Sequence, residues 1–286
     1  MNEREARAVL FSAIEGGHPF WMSEIFSLGA LKVIEKLQGG GYDQKKFNRL
    51  ITKISTTTAD HVFSLIAAAQ AEFLIPGEPL WPIRVEDLVA PPIALIVKGN
   101  LEALSMQSLA IVGTRNPTNY GARIAGDFAS GFVDREWGIV SGGAYGIDSC
   151  AHKGALMAEG ITVAVIASGI DINYPVGNTR LFAAICESGA ILTEVMPGHP
   201  PLPARFLTRN RLIAALSVAT LVVEAAFRSG SLRTARDAAE LLRPVMAIPG
   251  AINSTTSEGC HRLIGERAAE IVTSVADAVE FIGANR

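Results

Sequence analysis

Two glycine-rich loops have the composition of anion-binding turns. Their residues are Gly113, Thr114 and Arg115 in the first loop, and Ser141, Gly142, Gly143, Tyr145 and Gly146 in the second. Each loop follows an apolar run and precedes a segment with a helical pattern, so we expect strand-to-helix turns. Glycine lets the backbone approach a ligand, and the free N–H groups of the following helix favour a phosphate. The arginine adds a charged donor, and the tyrosine ring offers a surface for stacking a nucleic-acid base.

Arginines are concentrated between residues 205 and 236 and form a candidate basic patch. They are Arg205, Arg209, Arg211, Arg228, Arg233 and Arg236. In the triplet Arg209, Asn210 and Arg211, side chains two residues apart on a helix diverge, so we expect one arginine to face the ligand. The other is left to pair with an acid or to stay in solvent.

Other polar residues at these turns fit a structural role as well as a binding one. The turn made of Ser229, Gly230 and Ser231 is consistent both with capping of the next helix by Ser231 and with a phosphate contact. We expect Asp148 and Ser149 mainly to cap the helix that follows the second loop.

The common patterns of catalytic and metal sites are not matched. The loops lack the Gly-x-Gly-x-x-Gly dinucleotide fingerprint, the Walker loop and the Gly-x-Ser-x-Gly nucleophile turn. Cys150 with His152, and Cys260 with His261, do not have the spacing of zinc ligands. Glu194 follows a predicted strand, as does Glu224, and a lone acid there is more often a partner for arginine than a general base. We therefore expect no catalysis, no cofactor and no metal.

The composition is that of a globular protein of one or two domains. The chain has 286 residues, 49% of them apolar and 19% charged, and a net charge of -3. This charge gives no overall signature of nucleic-acid binding, so any such site must be local. No apolar run reaches the roughly 18 residues that a membrane helix needs. Three scattered cysteines fit a reducing compartment, and we expect a cytoplasmic protein that does not enter a membrane.

The chain divides into two parts near residue 74. Residues 1–74 predict five short helices, the last of them over 59–72, which form a small all-helical (SAM-like) domain. Prolines between 75 and 92 indicate an extended connector. In residues 75–286 strands alternate with helices, and the strands are continuous apolar runs, as in sheets buried on both faces. This predicts an α/β fold, an extended Rossmann-like doubly wound parallel sheet. Ligands of such sheets lie at the carboxyl ends of the strands, where both loops are expected.

The ordered motifs together resemble the DNA-processing protein DprA (Smf) family. The matching stretches are 109–118, 141–152, 167–175, 209–214, 222–225, 229–232 and 259–264. The resemblance extends roughly from residue 76 to 273 and implies an extended Rossmann fold. It implies a non-enzymatic, homodimeric protein that binds single-stranded DNA, protects incoming DNA and loads the RecA recombinase during natural transformation. By the same resemblance, residues 113–115, 141–143, 145–146 and 209–211 line the pocket for DNA phosphates.

The sequence departs from the family pattern at three places. Tyr145 stands where many relatives have arginine, which exchanges a phosphate contact for stacking. Val176 follows Tyr174 and Pro175 where some relatives have lysine, so that basic contact is missing. The winged-helix domain that many members carry at the carboxyl terminus is not expected here.

Two other functions fit the residues less well. One is a nucleotide-acting enzyme of the related Rossmann superfamily, but its Pro-Gly-Gly-x-Gly-Thr motif is not matched by residues 249–253. The other is a sensor whose crevice binds a mononucleotide and signals through a partner. A nucleotide that displaces DNA without being hydrolysed would favour the sensor.

Overall fold

A nine-stranded sheet with helices on both faces forms the centre of the computed structural model, which describes residues 1–285. The helices are α1 Glu3–Ala13, α2 Pro19–Leu28, α3 Ala30–Gln38, α4 Asn48–Thr56, α5 Ala59–Ala68, α6 Asn119–Val133, α7 Ile147–Met157, α8 Thr179–Ser188, α9 Pro203–Leu216, α10 Ser231–Glu240, α11 Glu258–Gly265 and α12 Val275–Ala284. The strands are β1 Glu72–Leu74, β2 Leu95–Gly99, β3 Ser108–Val112, β4 Gly138–Ser141, β5 Thr162–Val165, β6 Ala190–Thr193, β7 Ala219–Val222, β8 Val245–Ala247 and β9 Glu270–Ile271. Short 3-10 turns lie at Ile83–Asp87, Leu101–Ser105 and Val176–Asn178.

The strands follow the order β1-β2-β6-β5-β4-β3-β7-β8-β9. All neighbours from β6 to β9 in this order are parallel, and β3 lies between β4 and β7, with Ala110 opposite both Val140 and Thr220. The predicted doubly wound α/β fold is confirmed. At one edge the sheet is antiparallel, because β2 pairs antiparallel with β6 and β1 pairs antiparallel with β2.

Side chains that alternate along the strands fill separate cores on the two faces. On β4, Ile139 belongs to the core beneath α6, α7 and α12, and Val140 belongs to the core beneath α9, α10 and α11. Every residue of β3 to β7 is buried. Burial on both faces explains why these strands are continuous apolar runs in the sequence.

The amino-terminal helices share a core with the sheet. Buried residues of α1 and α3, such as Val9 and Leu37, belong to the same apolar cluster as Ile96 of β2 and Ile185 of α8. The helix predicted over 59–72 ends at Ala68, and its last expected residues enter β1, which pairs with β2. Packing therefore crosses residue 74, and the division into two domains there stays a prediction.

Candidate phosphate-binding cleft

The parallel sheet changes its winding direction between β3 and β7. From β3 the chain proceeds through α6, on one face, towards β4, and from β7 it proceeds through α10, on the other face, towards β8. The loops after β3 and β7 consequently separate, and a crevice opens at the carboxyl ends of the strands. It is a cleft of about 380 Å³, lined by residues 112–115, residues 144 and 148, one side of α9, and residues 226, 228–231 and 234. We call it the switch-point cleft.

The first loop is held by backbone contacts on both sides. The Thr114 N–H donates to the Glu224 carbonyl at 2.7 Å, and the Thr114 carbonyl accepts from the Ile147 N–H at 3.1 Å. A Cβ placed on Gly113 would lie 2.6 Å from Ile147 Cγ1 and 2.7 Å from the Glu224 carbonyl oxygen. Glycine is therefore required for the close approach, and it places exposed Arg115 at the mouth of the cleft.

The second loop depends on left-handed glycines and on an asparagine from a distant element. Gly143 has φ +67° and Gly146 has φ +83°. Asn178 donates from Nδ2 to the Gly143 carbonyl at 2.9 Å and to Ser149 Oγ at 2.8 Å. Ser149 Oγ in turn donates to the Ala144 carbonyl at 2.6 Å. These bonds fix the loop as it leads into α7.

Two predicted contacts of this second loop lie inside the protein. Ser141 is fully buried, and its hydroxyl donates to the Ile111 carbonyl at 2.6 Å. Gly143 faces the ring of Phe182, which would lie 2.6 Å from an added Cβ. Neither residue lines the switch-point cleft, because the end of β4 is covered by neighbouring elements, and their contact with DNA stays a prediction. They shape the loop from behind.

Arg209 is the arginine of the triplet that faces the cleft. Its side chain is only 7% exposed, and Nη1 donates to the Val165 carbonyl. Its Nε is buried without a hydrogen-bond partner among the described residues. Gly142 permits this position, because an added Cβ would overlap the guanidinium. Burial lowers the pKa of Arg209 to about 10, against the attraction of Asp148, so the side chain stays cationic at neutral pH.

Arg211 does not line the cleft but pairs with an acid, and its contact with DNA stays a prediction. Its Nη2 donates to both carboxylate oxygens of Glu194, at 2.6 and 2.5 Å. The Glu194 side chain is 7% exposed and that of Arg211 is 12% exposed. Burial raises the pKa of Glu194, while Arg211 opposes the shift. Divergence of residues two apart and pairing with an acid were both among the expected outcomes.

Three of the six arginines in the candidate basic patch over residues 205–236 form ion pairs. Arg205 pairs with Glu15 at 2.5 Å, Arg233 pairs with Asp237 at 2.7 Å, and Arg211 pairs with Glu194. Of the six arginines, Arg209 and Arg228 line the cleft. The arginines therefore lie on different surfaces, because side chains on a helix spread around its axis.

The start of α10 forms the opposite wall of the cleft. Ser229, Gly230 and Ser231 all line it, and the two hydroxyls lie 2.7 Å apart. Asn210 donates from Nδ2 to the Gly230 carbonyl at 3.1 Å, which links this turn to α9. No side-chain cap is formed at this end of α10 among the described residues. The first N–H groups of α10 are bonded within the turn, since the Ser231 N–H donates to Ser229 Oγ at 3.3 Å and the Leu232 N–H donates to the Ser229 carbonyl at 3.2 Å.

Aromatic rings surround a smaller pocket beside the cleft. Its residues include Arg115, Tyr145, Tyr174 and Phe206, and we call it the aromatic pocket. Tyr145 is 50% exposed and its hydroxyl accepts from the Gly177 N–H at 3.2 Å. The Arg115 guanidinium lies 5.0 Å from the centre of the Phe206 ring. Arg115 thus joins the cleft and the aromatic pocket.

Two acids near the loops have roles that differ from those expected. Glu224 accepts from Thr118 Oγ1 at 2.7 Å and from the Thr118 N–H at 2.9 Å. It thus holds the start of α6 rather than pairing with arginine. Asp148 does not cap α7, since Gly146 occupies the cap position. Asp148 accepts from the Ala144 N–H at 3.3 Å and lines the cleft.

Sequence reasoning missed Asn178 and Phe206. Asn178 is the last residue of a 3-10 turn, and its bond to the second loop joins residues 35 positions apart. Phe206 lies in the arginine-rich segment, where an aromatic residue three positions before Arg209 gave a weak signal that α9 presents a ring.

Within residues 1–285, no helix is long and apolar enough to cross a membrane. In the same range no cluster of three or more histidine, cysteine, aspartate or glutamate side chains fits a metal ion.

Comparison with known proteins identifies the family of this chain. The model of the DNA recombination-mediator protein A family matches residues 72–283. The chain belongs to this family. The resemblance to DprA proteins found in the sequence is thus confirmed. The putative DNA processing protein DprA of Mycobacterium tuberculosis is 43% identical over 232 residues, covering 77% of this chain and 59% of that relative. DprA of Streptococcus pneumoniae is 42% identical over 199 residues, covering 70% of each protein.

Solved DprA structures have the same fold. The X-ray structure of DprA from Streptococcus pneumoniae has a TM-score of 0.76 and 36% identity, and it covers 82% of this chain and 81% of that one. DNA processing protein A from Helicobacter pylori, whose structure describes its single-stranded DNA binding mode, has a TM-score of 0.67 and 29% identity. That match covers 76% of this chain and 96% of the Helicobacter chain.

Proposed function

We propose that this protein binds single-stranded DNA and acts in DNA processing and recombination without catalysing a reaction. The observation that carries the proposal is Arg209, a buried cation that lines the switch-point cleft and forms no ion pair among the described residues. A buried charge without an ion-pair partner is a costly arrangement unless an anion binds beside it. A DNA phosphate supplies that negative charge together with hydrogen-bond acceptors.

The surrounding groups extend this phosphate site along a strand. Arg115 and Arg228 line the same cleft, and so do Asp148 at the start of α7 and Ser231 at the start of α10. Helix starts and arginines together favour successive phosphates of a backbone. The proposed DNA contacts are Gly113, Thr114, Arg115, Gly142, Tyr145, Gly146, Arg209, Asn210, Ser229, Gly230 and Ser231.

The aromatic pocket provides the preference for a single strand. Tyr145 is half exposed, and the Phe206 ring lies beneath Arg115. Base stacking on such rings contributes about 1 to 3 kcal/mol per base, and it requires a base that is free of its own duplex stack. A duplex can offer phosphates to the cleft but not bases to these rings.

The partners and cellular role are proposed from family membership. We propose that a homodimer protects incoming DNA in the cytoplasm and loads the RecA recombinase onto it. The support is the family match and the DprA relatives.

A binding titration with a fluorescent oligonucleotide tests the DNA site. Single-stranded and duplex forms are compared by anisotropy across a salt series, for the wild type and for Arg115→Ala. We expect salt-sensitive binding that prefers the single strand, and a salt slope lowered by about one in the variant. The matched control is Arg135→Ala. Arg135 is exposed and lies between α6 and β4, at the amino ends of the strands and so away from the cleft at their carboxyl ends.

The outcome separates the candidate functions. An equal loss of oligonucleotide affinity in Arg115→Ala and Arg135→Ala would mean that binding is non-specific attraction to surface charge. Absence of oligonucleotide binding, with displacement of a labelled mononucleotide instead, would favour the nucleotide sensor. The cleft volume of about 380 Å³ keeps that second function open, because it matches small-molecule sites.

A further inference from the structure

The switch-point cleft contains a carboxylate among its cations. Asp148 lines the cleft with Arg115, Arg209 and Arg228, and it is only 7% exposed. Within the described chain it is the one acidic residue of the cleft lining. A negative group at this depth repels an anionic ligand, so its presence in a phosphate site requires a physical account.

The carboxylate is fixed in place by the second loop. It accepts from the Ala144 N–H at 3.3 Å, and Arg209 and Arg115 attract it electrostatically. A phosphate held by these arginines must therefore lie near Asp148. The two anions then compete for the same cations.

We propose that Asp148 determines which phosphate the cleft accepts, favouring the singly charged phosphodiester within a strand over the doubly charged phosphate of a free nucleotide. This inference rests on the proposed DNA-binding function and refines it. It implies that free nucleotides compete poorly with DNA for the cleft.

The discrimination follows from charge. A phosphodiester carries one negative charge, whereas a phosphomonoester carries about 1.5 to 2 at neutral pH. Repulsion by Asp148 is proportional to the ligand charge, and a partly desolvated site strengthens it relative to water. The repulsion energy between Asp148 and a dianion is therefore about twice that for a monoanion. Because affinity depends exponentially on free energy, the loss of affinity that Asp148 causes for the dianion is about the square of its loss for the monoanion.

Proton binding gives a second consequence of the same geometry. Burial raises the pKa of Asp148, while Arg209 from α9 and Arg115 from the first loop oppose the shift. Ser141 from β4 also stabilises the charged form, Arg228 faces it across the cleft, and His152 on the same helix is buried. A bound phosphate raises the pKa of Asp148 further. Affinity for DNA is therefore highest at low pH and falls as pH rises through the pKa of Asp148 in the complex.

The test compares one diester ligand with one monoester ligand. The first is a labelled oligothymidylate without a terminal phosphate, followed by anisotropy. The second is thymidine monophosphate, measured by displacement of that oligonucleotide. Both are titrated against the wild type, Asp148→Asn and Asp127→Asn. Asp127 is an exposed residue of α6, so its variant controls for the change in net charge.

We expect Asp148→Asn to bind both ligands more tightly, and to gain more for the monophosphate. At about pH 8 the monoester is a dianion. The gain in its affinity from wild type to Asp148→Asn should then be about the square of the gain for the oligonucleotide, for example on the order of 25-fold against 5-fold. At about pH 5 the two factors should converge, because the monoester has taken up a proton. The Asp127→Asn variant should match the wild type.

Equal factors at the higher pH, or weaker binding of both ligands, would overturn the assignment and leave Asp148 a structural residue of the loop. If Asp148→Asn does not fold, Asp148→Ser removes the same charge and takes its place, with the same factors expected and the same results overturning the inference. If the wild type fails to bind the oligonucleotide at all, the proposed function itself is wrong, which is a separate result.

Discussion

Replacing Arg211 by methionine should weaken the fold and leave the DNA contacts unchanged. Arg211 forms its ion pair with Glu194 at 2.5 Å, and the side chains are 12% and 7% exposed. Removal of one partner from such a pair leaves an uncompensated buried charge, which costs about 3 to 5 kcal/mol. The methionine retains most of the aliphatic volume, so packing contributes little to the loss.

The pH dependence of this loss has a defined sign. Burial already raises the pKa of Glu194, and without Arg211 the shift increases. A carboxyl with a raised folded-state pKa contributes stability below its unfolded value, and this contribution is lost as pH rises through the folded pKa. Arg211→Met should therefore be destabilised more at about pH 8 than at about pH 5.

Urea denaturation of the wild type and variants measures these free energies of unfolding. The control is Arg205→Met on the same helix, whose partner Glu15 is 66% exposed, so its loss should not exceed about 1 kcal/mol. Adding Glu194→Leu to Arg211→Met should recover much of the stability, because no unpaired charge remains. Under conditions where Arg211→Met is folded, its salt slope for DNA binding should equal that of the wild type.

The opposite pattern would refute this placement of Arg211. Unchanged stability, together with a salt slope lowered by about one as expected for Arg115→Ala, would mean that Arg211 contacts DNA. The ion pair with Glu194 would then not be the main role of its side chain.

Two further predictions concern Gly142 and His152. Gly142→Ala should weaken oligonucleotide binding at least tenfold, on the order of one lost charged hydrogen bond, because a Cβ there overlaps the Arg209 guanidinium. Fluorescence anisotropy measures this affinity, and an unchanged value would show that Arg209 binds no phosphate. Burial lowers the pKa of His152 to about 3, and its Nδ1 lies 2.7 Å from Thr162 Oγ1. Its contribution to stability is present above the unfolded value of about 6.5 and declines as pH falls towards the folded value. Urea denaturation should show that the free energy of unfolding declines with falling pH in the wild type, and declines less in His152→Gln. Parallel pH profiles of the two proteins would mean that other groups cause the acid sensitivity.

The amino-terminal region shows where sequence reasoning stopped. Helical patterns identified five helices, although the expected fifth helix extended beyond Ala68 into β1. A strand of three residues is too short for its alternation to be distinguished from the end of a helix. Its existence depends on pairing with β2, a partner more than twenty positions away in the chain.

The sequence by itself determined the order of strands and helices from β2 onward, the two glycine loops and the winding of the sheet that brings these loops to one side. These follow from local periodicity, from glycine conformations and from the connection rules of parallel sheets. Only the tertiary structure decided which side chains enter the cleft. Arg209 and Arg211 are of the same type on the same helix, and Glu194, from the end of β6, separates their roles by pairing with one of them. Asp148 likewise changes from an expected helix cap to a cleft residue because α9 places Arg209 opposite it. Such assignments depend on partners far apart in the chain, whose proximity is set by packing.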